Sequence, residues 1–251
     1  MDFSWVNRVA VLTGAGISTD SGIPDYRGPN GVWTRNPGEM NTFTLDTFLR
    51  DTETRKRFWA TYVNHAAWQA EPNDAHKALA DLAGTGIAVR VLTQNIDGLH
   101  QRAGFPARKV LEMHGSMRHT VCVACGRSQP TGPVLDRVRA GDTDPACTDC
   151  GGVLKLGVVL FGENLDSDVL GRARAVAAAS EVFLAVGTSL QVEPVASLCD
   201  IAHTAGARLV IVNRDPTPYD RWASLVVRDP IGVALPDICA ALGVQRERDE
   251  N

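Results

Sequence analysis

The sequence predicts an α/β protein built on a parallel sheet, with a smaller lobe attached to it. Short apolar runs rich in Val, Ile and Leu alternate with segments of helical periodicity, which is the order of strands and helices around a parallel sheet. Each apolar run ends in a turn of glycine or polar residues. Four cysteines in two CxxC pairs occupy a turn-rich segment that is poorly suited to forming a core of its own.

Composition limits the classes of function. The 251 residues can bury one substantial core plus a small lobe, and 44% hydrophobic with 22% charged residues is an ordinary globular balance. A formal net charge of −4 disfavours a protein that binds mainly to nucleic acid backbone. The start of the chain has no signal-peptide pattern, and no apolar run approaches the roughly 20 residues that cross a bilayer. We therefore expect a cytoplasmic protein without nucleic acid or membrane partners.

The first predicted strand begins at Arg8 and runs into a small-residue turn, Gly14-Ala15-Gly16. A turn nearly free of side chains lets a ligand approach backbone N–H groups, and a helix starting just beyond would attract an anion such as a pyrophosphate. The third glycine of the usual dinucleotide-binding pattern is missing, because position 19 is Thr. Taken alone, the motif leaves an ordinary strand–helix turn as an equal alternative.

A polar loop and an aromatic segment follow this turn. The loop contains Asp25, Tyr26 and Arg27 and is placed to cover a bound nucleotide. Residues 30–72 contain no strand-like run, which predicts a helical insertion that packs aromatic side chains over the loop, or simply a helical connector. The aromatic residues are Trp33, Phe43, Phe48, Phe58, Trp59, Tyr62 and Trp68.

Polar residues follow the second and third predicted strands. The second strand, over 87–93, follows a capped helix at 73–82 and runs into Gln94-Asn95-Ile96-Asp97. Such positions face the ligand crevice in open α/β sheets, although Asp97 could instead cap the next helix. The third strand, over 110–114, ends in His114. Histidine is the default general base, but a lone histidine is usually structural, so this residue alone supports both interpretations.

The two CxxC pairs carry the strongest chemical signal. Cys122 and Cys125 are separated from Cys147 and Cys150 by 21 residues, and a glycine follows each pair. Four thiolates can close a tetrahedron around one Zn²⁺ and leave no open position, which predicts a structural zinc. A disulfide or redox pair is the weaker alternative in a cytosolic setting.

The rest of the sequence predicts a return to the main domain. We expect a strand near 156–161, a helix over 166–179, a strand over 181–187 leading into the turn Gly187-Thr188-Ser189, a helix over 195–205, a strand over 208–213, a short strand at 225–227 and a closing helix over 232–242. Cys199 and Cys239 are expected to be buried as small hydrophobic residues. The charged tail at 245–251 is expected to fray.

Six blocks in this order resemble the sirtuins, the NAD-dependent protein lysine deacylases. The resemblance spans 9–213 and identifies the chain as a bacterial-type member with the catalytic core only. It implies a Rossmann-like lobe made of residues 1–29, 73–118 and 153–251, with NAD in the cleft. The helical insertion 30–72 and the zinc module 119–152 would form the small lobe. The blocks are Gly14-Ala-Gly-Ile-Ser18, Ile23-Pro-Asp-Tyr-Arg27, Thr93-Gln-Asn-Ile-Asp97, His114-Gly115, the cysteine pairs, and Phe161-Gly-Glu163 with Gly187-Thr-Ser-Leu190.

The resemblance also implies a reaction and a set of site residues. The acyl-lysine oxygen attacks the ribose of NAD and releases nicotinamide, with Asn95 near the reacting ribose. His114 then acts as base on the ribose hydroxyls so that one of them attacks the resulting imidate, and water completes the collapse to 2′-O-acyl-ADP-ribose and free lysine. The peptide substrate would be clamped as an added strand, contacting Val159, Phe161, Gly162, Glu163 and Val192. NAD, a consumed co-substrate, would contact Gly14, Ala15, Gly16, Asp25, Tyr26, Arg27, Gln94, Asn95, Ile96, Asp97, Gly187, Thr188, Ser189 and Asn213.

Departures from the family pattern bear on specificity. Tyr26 replaces a commoner Phe, and Leu156 stands where Pro is frequent. Members that prefer succinyl or malonyl lysine carry Tyr-x-x-Arg where this chain has Tyr62-Val-Asn-His65, so we expect a neutral acyl group, acetyl first. The alternatives are a deacylase for longer neutral acyl groups, a mono-ADP-ribosyltransferase that uses the same cleft, and a non-enzymatic NAD- or zinc-dependent interaction module.

Overall fold

The computed structural model describes residues 3, 5–36 and 44–243, so Phe43 and the charged tail lie outside it. The strands are β1 (Arg8–Thr13), β2 (Ala88–Thr93), β3 (Val110–Glu112), β4 (Gly115–Cys122), β5 (Ser128–Pro130), β6 (Leu154–Val158), β7 (Val182–Val186), β8 (Arg208–Val212) and β9 (Leu225–Val227). The helices are α1 (Val32–Arg35), α2 (Leu45–Arg50), α3 (Thr52–Val63), α4 (Asp74–Leu82), α5 (Leu99–Arg102), α6 (Gly132–Arg139), α7 (Ser167–Ala179), α8 (Leu198–Thr204) and α9 (Ile231–Gly243). Within this part of the chain, no helix combines the length and apolar character needed to span a bilayer.

Six strands form a parallel sheet in the order β3-β2-β1-β7-β8-β9. The chain first builds outward from β1 through β2 to β3, and then returns to the other side of β1 with β7. The boundary between β1 and β7 is therefore the point where the strand order reverses. Ligands bind beyond the carboxyl ends of the strands at such a switch point. This confirms the predicted α/β class with a parallel sheet.

Helices cover both faces of this sheet because successive side chains in a strand point to opposite sides. Val9 and Val11 pack in one core with residues of α4 and α9, whereas Ala10 and Leu12 pack in a second core with α7 and α8. The predicted cap of α4 is present, because the Asn73 side chain accepts from the N–H groups of residues 75 and 76. Cys199 and Cys239 are buried in these cores, as expected.

A second, three-stranded sheet has the order β5-β4-β6 and is antiparallel. The strand expected near 156–161 lies at 154–158 and belongs to this second sheet. β6 ends at Val158 and pairs with β4. An apolar run alone does not reveal which sheet it joins, since pairing is decided by the fold.

The helical insertion and the cysteine segment share a third core. Phe48, Phe58 and Trp59 from α2 and α3 pack with Val134 and Leu135 of α6 and with apolar residues of β4 and β6. The segment between the cysteine pairs was expected to be turn-rich, yet it forms β5 and α6 and contributes to this core. Arg55 of α3 also pairs with Asp144 at 2.8 Å, with both side chains largely buried. The insertion and the cysteine segment therefore pack as neighbours.

Candidate active site

Two glycine turns meet at the switch point. Gly14 and Gly16 follow β1, Gly187 follows β7, and the Gly16 N–H donates to the Gly187 carbonyl at 2.9 Å. A Cβ at Gly16 would lie 2.7 Å from Gly187 Cα, and one at Gly187, whose φ is +61°, would lie 2.4 Å from the Ile17 nitrogen. Glycine is thus required here by contact between the two turns themselves. The segment after Gly14 is a 3-10 helix, Ala15–Ser21.

Asn95, Asp97 and Ser18 form one hydrogen-bonded group at the carboxyl end of β2. Ser18 Oγ donates to Asp97 Oδ2 at 2.8 Å, and Asn95 Nδ2 donates to Ser18 Oγ at 3.1 Å and to the Gly14 carbonyl at 3.2 Å. All three side chains are buried. Asp97 Oδ1 also accepts from the Leu99 N–H at 2.9 Å, so the predicted capping interaction exists beside the site interaction. These bonds orient an amide and a carboxylate toward the same turn.

Further buried hydrogen bonds connect this group to Thr93, Thr13 and His100. The Asn95 N–H donates to Thr93 Oγ1 at 3.0 Å, Thr13 Oγ1 donates to Thr93 Oγ1 at 2.9 Å, and Thr13 Oγ1 lies 2.9 Å from His100 Nε2. The His76 ring lies 5.0 Å from the His100 ring. Burial lowers the pKa of His76 to about 4 and that of His100 to about 3. Both rings are therefore neutral near pH 7.

His114 lies in the turn between β3 and β4, two residues beyond the end of the third strand, and not at its last position. The imidazole Nδ1 lies 3.0 Å from the Gln94 carbonyl oxygen. A carbonyl can only accept, so Nδ1 carries the proton and Nε2 holds a lone pair. Burial lowers the pKa of His114, although the bond to Gln94 opposes this. A neutral imidazole with a free basic nitrogen is the state that a general base needs.

The four cysteines predicted to bind zinc lie together. Their Sγ atoms are all within 4.8 Å of one another, and ligands 2.3 Å from a tetrahedral zinc would lie about 3.8 Å apart. Cys122 O accepts from the Gly126 N–H and Cys147 O from the Gly151 N–H, both at 2.9 Å. Gly126 and Gly151 have φ of +71° and +72°, which explains the glycine after each pair. The donor set and its geometry fit one structural Zn²⁺.

Comparison with known proteins agrees with this arrangement. The Sir2 family model matches residues 14–194. NAD-dependent protein deacetylase 2 of Streptomyces coelicolor is 57% identical over 235 residues, covering 94% of this chain and 98% of the relative. NAD-dependent protein deacetylase of Sulfolobus acidocaldarius is 42% identical over 238 residues, covering 95% and 91%. The chain belongs to the Sir2 family.

Solved Sir2 structures share the fold. A Sir2–p53 peptide–NAD⁺ complex has a TM-score of 0.84 and 34% identity, and each chain is covered to 96%. A Sir2 variant with a deacetylated p53 peptide and 3′-O-acetyl ADP-ribose has a TM-score of 0.85 and 36% identity, covering 98% of this chain and 95% of the other. The similarity therefore extends over both sheets of the Sir2 fold.

The loop predicted to cover the nucleotide is held by an aromatic stack in this Sir2 protein. The Tyr26 and Trp33 ring centroids are 4.7 Å apart, Trp33 lies 5.8 Å from Phe161, and Arg27 stacks 4.5 Å over Trp33. Asp25 Oδ1 accepts from the Gly28 N–H at 2.9 Å, an interaction within the loop. The loop is thus connected to Phe161 through Trp33.

The remaining predicted NAD contacts lie just beyond the carboxyl ends of β1, β2, β7 and β8. Gln94 Nε2 donates to Thr188 Oγ1 at 2.9 Å, which links the ends of β2 and β7. Ser189 follows Thr188, and Asn213 follows β8, where its Nδ2 donates to the Asp215 carbonyl at 2.8 Å. Ile96, half-buried, packs against the third core, and its carbonyl accepts from β4 at 3.1 Å. Ala15 opens the 3-10 helix.

Two residues at the site are not predicted by the sequence analysis. Ser18 ends the first motif, and it connects Asn95 to Asp97. Arg118 of β4 donates to the Asp97 carbonyl at 3.0 Å and stacks over Trp68. A serine two residues past a glycine turn was a usable signal for Ser18. No local pattern marks Arg118, because it reaches the site from the other sheet.

Proposed function

We propose that this chain is an NAD-dependent protein lysine deacetylase. The two relatives compared above are named NAD-dependent protein deacetylases, and the chain covers 98% and 91% of their lengths. The observation that carries the proposal is the grouping of a neutral His114 with the Asn95–Ser18–Asp97 network beside the switch point. These residues supply a base, an amide and a carboxylate at one edge of the sheet.

NAD fits the ends of the central strands. When bound, NAD would supply an activated ribose carbon that loses nicotinamide to the acyl oxygen, and a neighbouring ribose hydroxyl that would receive the acyl group. In the proposal the turns Gly14–Gly16 and Gly187–Ser189 hold the diphosphate, with Asn213 nearer the adenosine end. Asp97, with Ile96, receives the carboxamide, and Asp25, Tyr26 and Arg27 cover the ligand.

His114 is proposed to accept a proton from a ribose hydroxyl. The bond from Nδ1–H to Gln94 fixes the tautomer and directs Nε2 away from that carbonyl. Because Gln94 is covalently joined to Asn95, the base and the amide are held by one short segment. Asn95 Nδ2 is tied to Gly14 and Ser18, which leaves its Oδ1 to meet the ribose or a bound water.

The acyl-lysine peptide is proposed to bind between Val159–Glu163 and Leu190–Pro194 as an added strand. Phe161 is 46% exposed and stacks toward Trp33, so it offers an apolar surface for the lysine chain. Val192, in the segment Leu190–Pro194, is half-buried. The two-lobe division, with 1–29, 73–118 and 153–251 in the large lobe and 30–72 and 119–152 in the small one, stays a prediction. Because β4 and β6 pair in the second sheet and pack in the third core, both strands fit the small lobe better than the large one.

The acyl group is proposed to be neutral, with acetyl preferred. Tyr62 and His65 stack with ring centroids 5.6 Å apart, and His65 Nδ1 accepts from the Ala67 N–H at 3.2 Å. Burial lowers the pKa of His65 although the charge of Asp97 opposes this, so the ring is neutral near pH 7. A neutral imidazole offers no cation for a succinyl carboxylate. A reducing compartment such as the cytoplasm stays a prediction, consistent with four free thiols held for a metal.

The test is a panel of acyl-lysine peptides assayed for NAD-dependent nicotinamide release and analysed by mass spectrometry. We expect free lysine and acyl-ADP-ribose, with acetyl peptide turned over faster than succinyl peptide. An ADP-ribosylated protein product without deacylation would replace the proposal with a mono-ADP-ribosyltransferase. The absence of any NAD turnover would favour an interaction module.

A further inference from the structure

A buried lysine lies directly behind the segment proposed to bind peptide. Lys155 of β6 is 7% exposed. Its Nζ donates to the Val158 carbonyl and, at 2.9 Å, to Glu163 Oε2. The same Glu163 oxygen accepts from the Leu160 N–H at 3.0 Å. One ion pair therefore connects the end of β6 to both ends of the 160–163 turn.

This ion pair contributes orientation more than net stability. Lysine is almost never fully buried unless it is paired. Removing two charges from water costs about as much as their attraction returns, so a buried pair adds little to the free energy of folding. Breaking one partner is nevertheless costly, since the other charge is left without compensation. Such a pair favours the single backbone arrangement in which both charges are satisfied.

The arrangement that Lys155 favours is joined to the candidate catalytic machinery. The Val159 N–H donates to the His114 carbonyl at 2.9 Å, immediately after the residue that Lys155 contacts. At the other end, the Phe161 carbonyl accepts from the Leu45 N–H of α2 at 2.9 Å. Residues 158–163 are thus hydrogen-bonded to His114, to Leu45 of the helical insertion, and to the buried Lys155.

We propose that Lys155 is a positioning residue for the acyl-lysine peptide. Through Val158 and Glu163 it holds residues 158–163 in the conformation that presents an edge to the substrate. The inference rests on the proposed function, because it takes this segment as the peptide-binding edge. It also gives Glu163 a second role, since one of its carboxylate oxygens already receives two donors from within the protein.

Steady-state kinetics of Lys155→Met and Glu163→Gln test the inference. We expect the KM for acetyl peptide to rise about tenfold in each variant, since a displacement of about 1 Å at a positioning element can cost about 100-fold. The KM for NAD should stay unchanged. The double variant should be no worse than the poorer single variant, because both changes break the same pair. Lys77→Met is the matched control, since Lys77 pairs with Asp74 on the exposed face of α4.

Hydrogen exchange provides a readout that does not depend on activity. Lys155→Met should accelerate exchange at 158–163 and leave the cysteine knuckles unchanged. The inference would be overturned by equal rises in the KM values for acetyl peptide and NAD, or by additive effects in the double variant. Unchanged kinetics and unchanged hydrogen exchange would overturn it as well. If Lys155→Met does not unfold cooperatively, the kinetics and the hydrogen exchange are both measured on Glu163→Gln. A wild-type chain without deacylase activity would refute the proposed function, whereas the exchange experiment would still decide whether Lys155 anchors the segment.

Discussion

The His114 carbonyl accepts a hydrogen bond from the Val159 N–H at 2.9 Å, while the His114 ring contacts the Gln94 carbonyl at 3.0 Å. One residue therefore bridges the carboxyl end of β2 and the segment that leaves β6. The backbone of His114 is fixed to the proposed peptide edge, and its imidazole is fixed to the proposed NAD site. Substrate and co-substrate would be aligned through this residue.

Replacing His114 with Ala should abolish most deacetylation. Loss of a general base costs about 100- to 10,000-fold in rate. The measurement is the rate of deacetylation with saturating NAD, accompanied by a thermal melt and an NAD affinity to show that the fold and site persist. His119→Ala is the control, because His119 is an exposed histidine of β4, five residues after His114. Comparable losses in the two variants would contradict the assigned role.

The rate should depend on pH through the neutral form of His114. Because burial lowers its pKa, the acidic limb of the profile should lie below the ordinary histidine value of 6.5. The base is active when deprotonated, so the rate should rise through this limb and then stay level near pH 7 to 8. The position of this limb is measured from kcat/KM for the peptide as a function of pH, with NAD in excess. A limb well above 6.5 would show that another group titrates.

Acid should destabilise the protein through His76 and His100. Their folded pKa values, about 4 and about 3, lie below the ordinary 6.5, so below pH 6.5 the unfolded chain binds more protons than the folded one. Their contribution to the free energy of unfolding is complete above pH 6.5. It decreases toward pH 4 by at most about 1.4 kcal/mol per pH unit for each histidine. Urea unfolding from pH 4 to 7 measures the slope, and His100→Gln should reduce it. An unchanged slope would refute this assignment.

One zinc per chain should be bound, and its removal should loosen the small lobe. Cys125→Ser should lose the metal, since all four thiolates are needed to close the site. Metal analysis and thermal melting measure the effect, and Cys239→Ala serves as the control because that thiol is buried far from the cluster in the core with α4 and α9. Burial raises the pKa of Cys239 to about 12, so this thiol is inert. Full zinc content in Cys125→Ser would contradict the site.

Introducing a cation at position 65 should broaden the acyl preference. In His65→Arg we expect succinyl-lysine turnover to increase and acetyl-lysine turnover to fall, because a guanidinium can pair with the acyl carboxylate. The ratio of kcat/KM for succinyl and acetyl peptides measures the change, with His119→Arg as the control for an added surface charge. An unchanged ratio would show that His65 does not face the acyl group.

Much of the large sheet could be predicted from local patterns. The apolar runs that became β1, β2, β7, β8 and β9 are short and continuous, which is typical of strands buried on both faces. Their carboxyl ends were also recognisable, since glycine and polar residues interrupt each run. The smaller sheet was not predicted, because β4 alternates apolar and polar residues weakly and β6 resembles a main-sheet strand.

The chemistry of individual side chains was predictable where it depends on residue type and spacing. Two CxxC pairs indicate zinc because the ligand atoms are close in any knuckle. His114 is a residue type suited to proton transfer, but its role became predictable only with the family resemblance. The partners of Asn95, Asp97 and Glu163 were not predictable. Ser18, Arg118 and Lys155 reach them across 77, 21 and 8 residues of sequence.

By itself, the sequence determined which segments form strands of the large sheet, which cysteines can bind a metal, and which polar residues follow the strands. These properties follow from periodicity and spacing, which act over a few residues. Only the tertiary structure decided that β6 joins the smaller sheet, that Gly16 and Gly187 touch, and that Lys155 lies behind the peptide edge. Each of these depends on the register and packing of distant segments, and many registers satisfy the same local pattern.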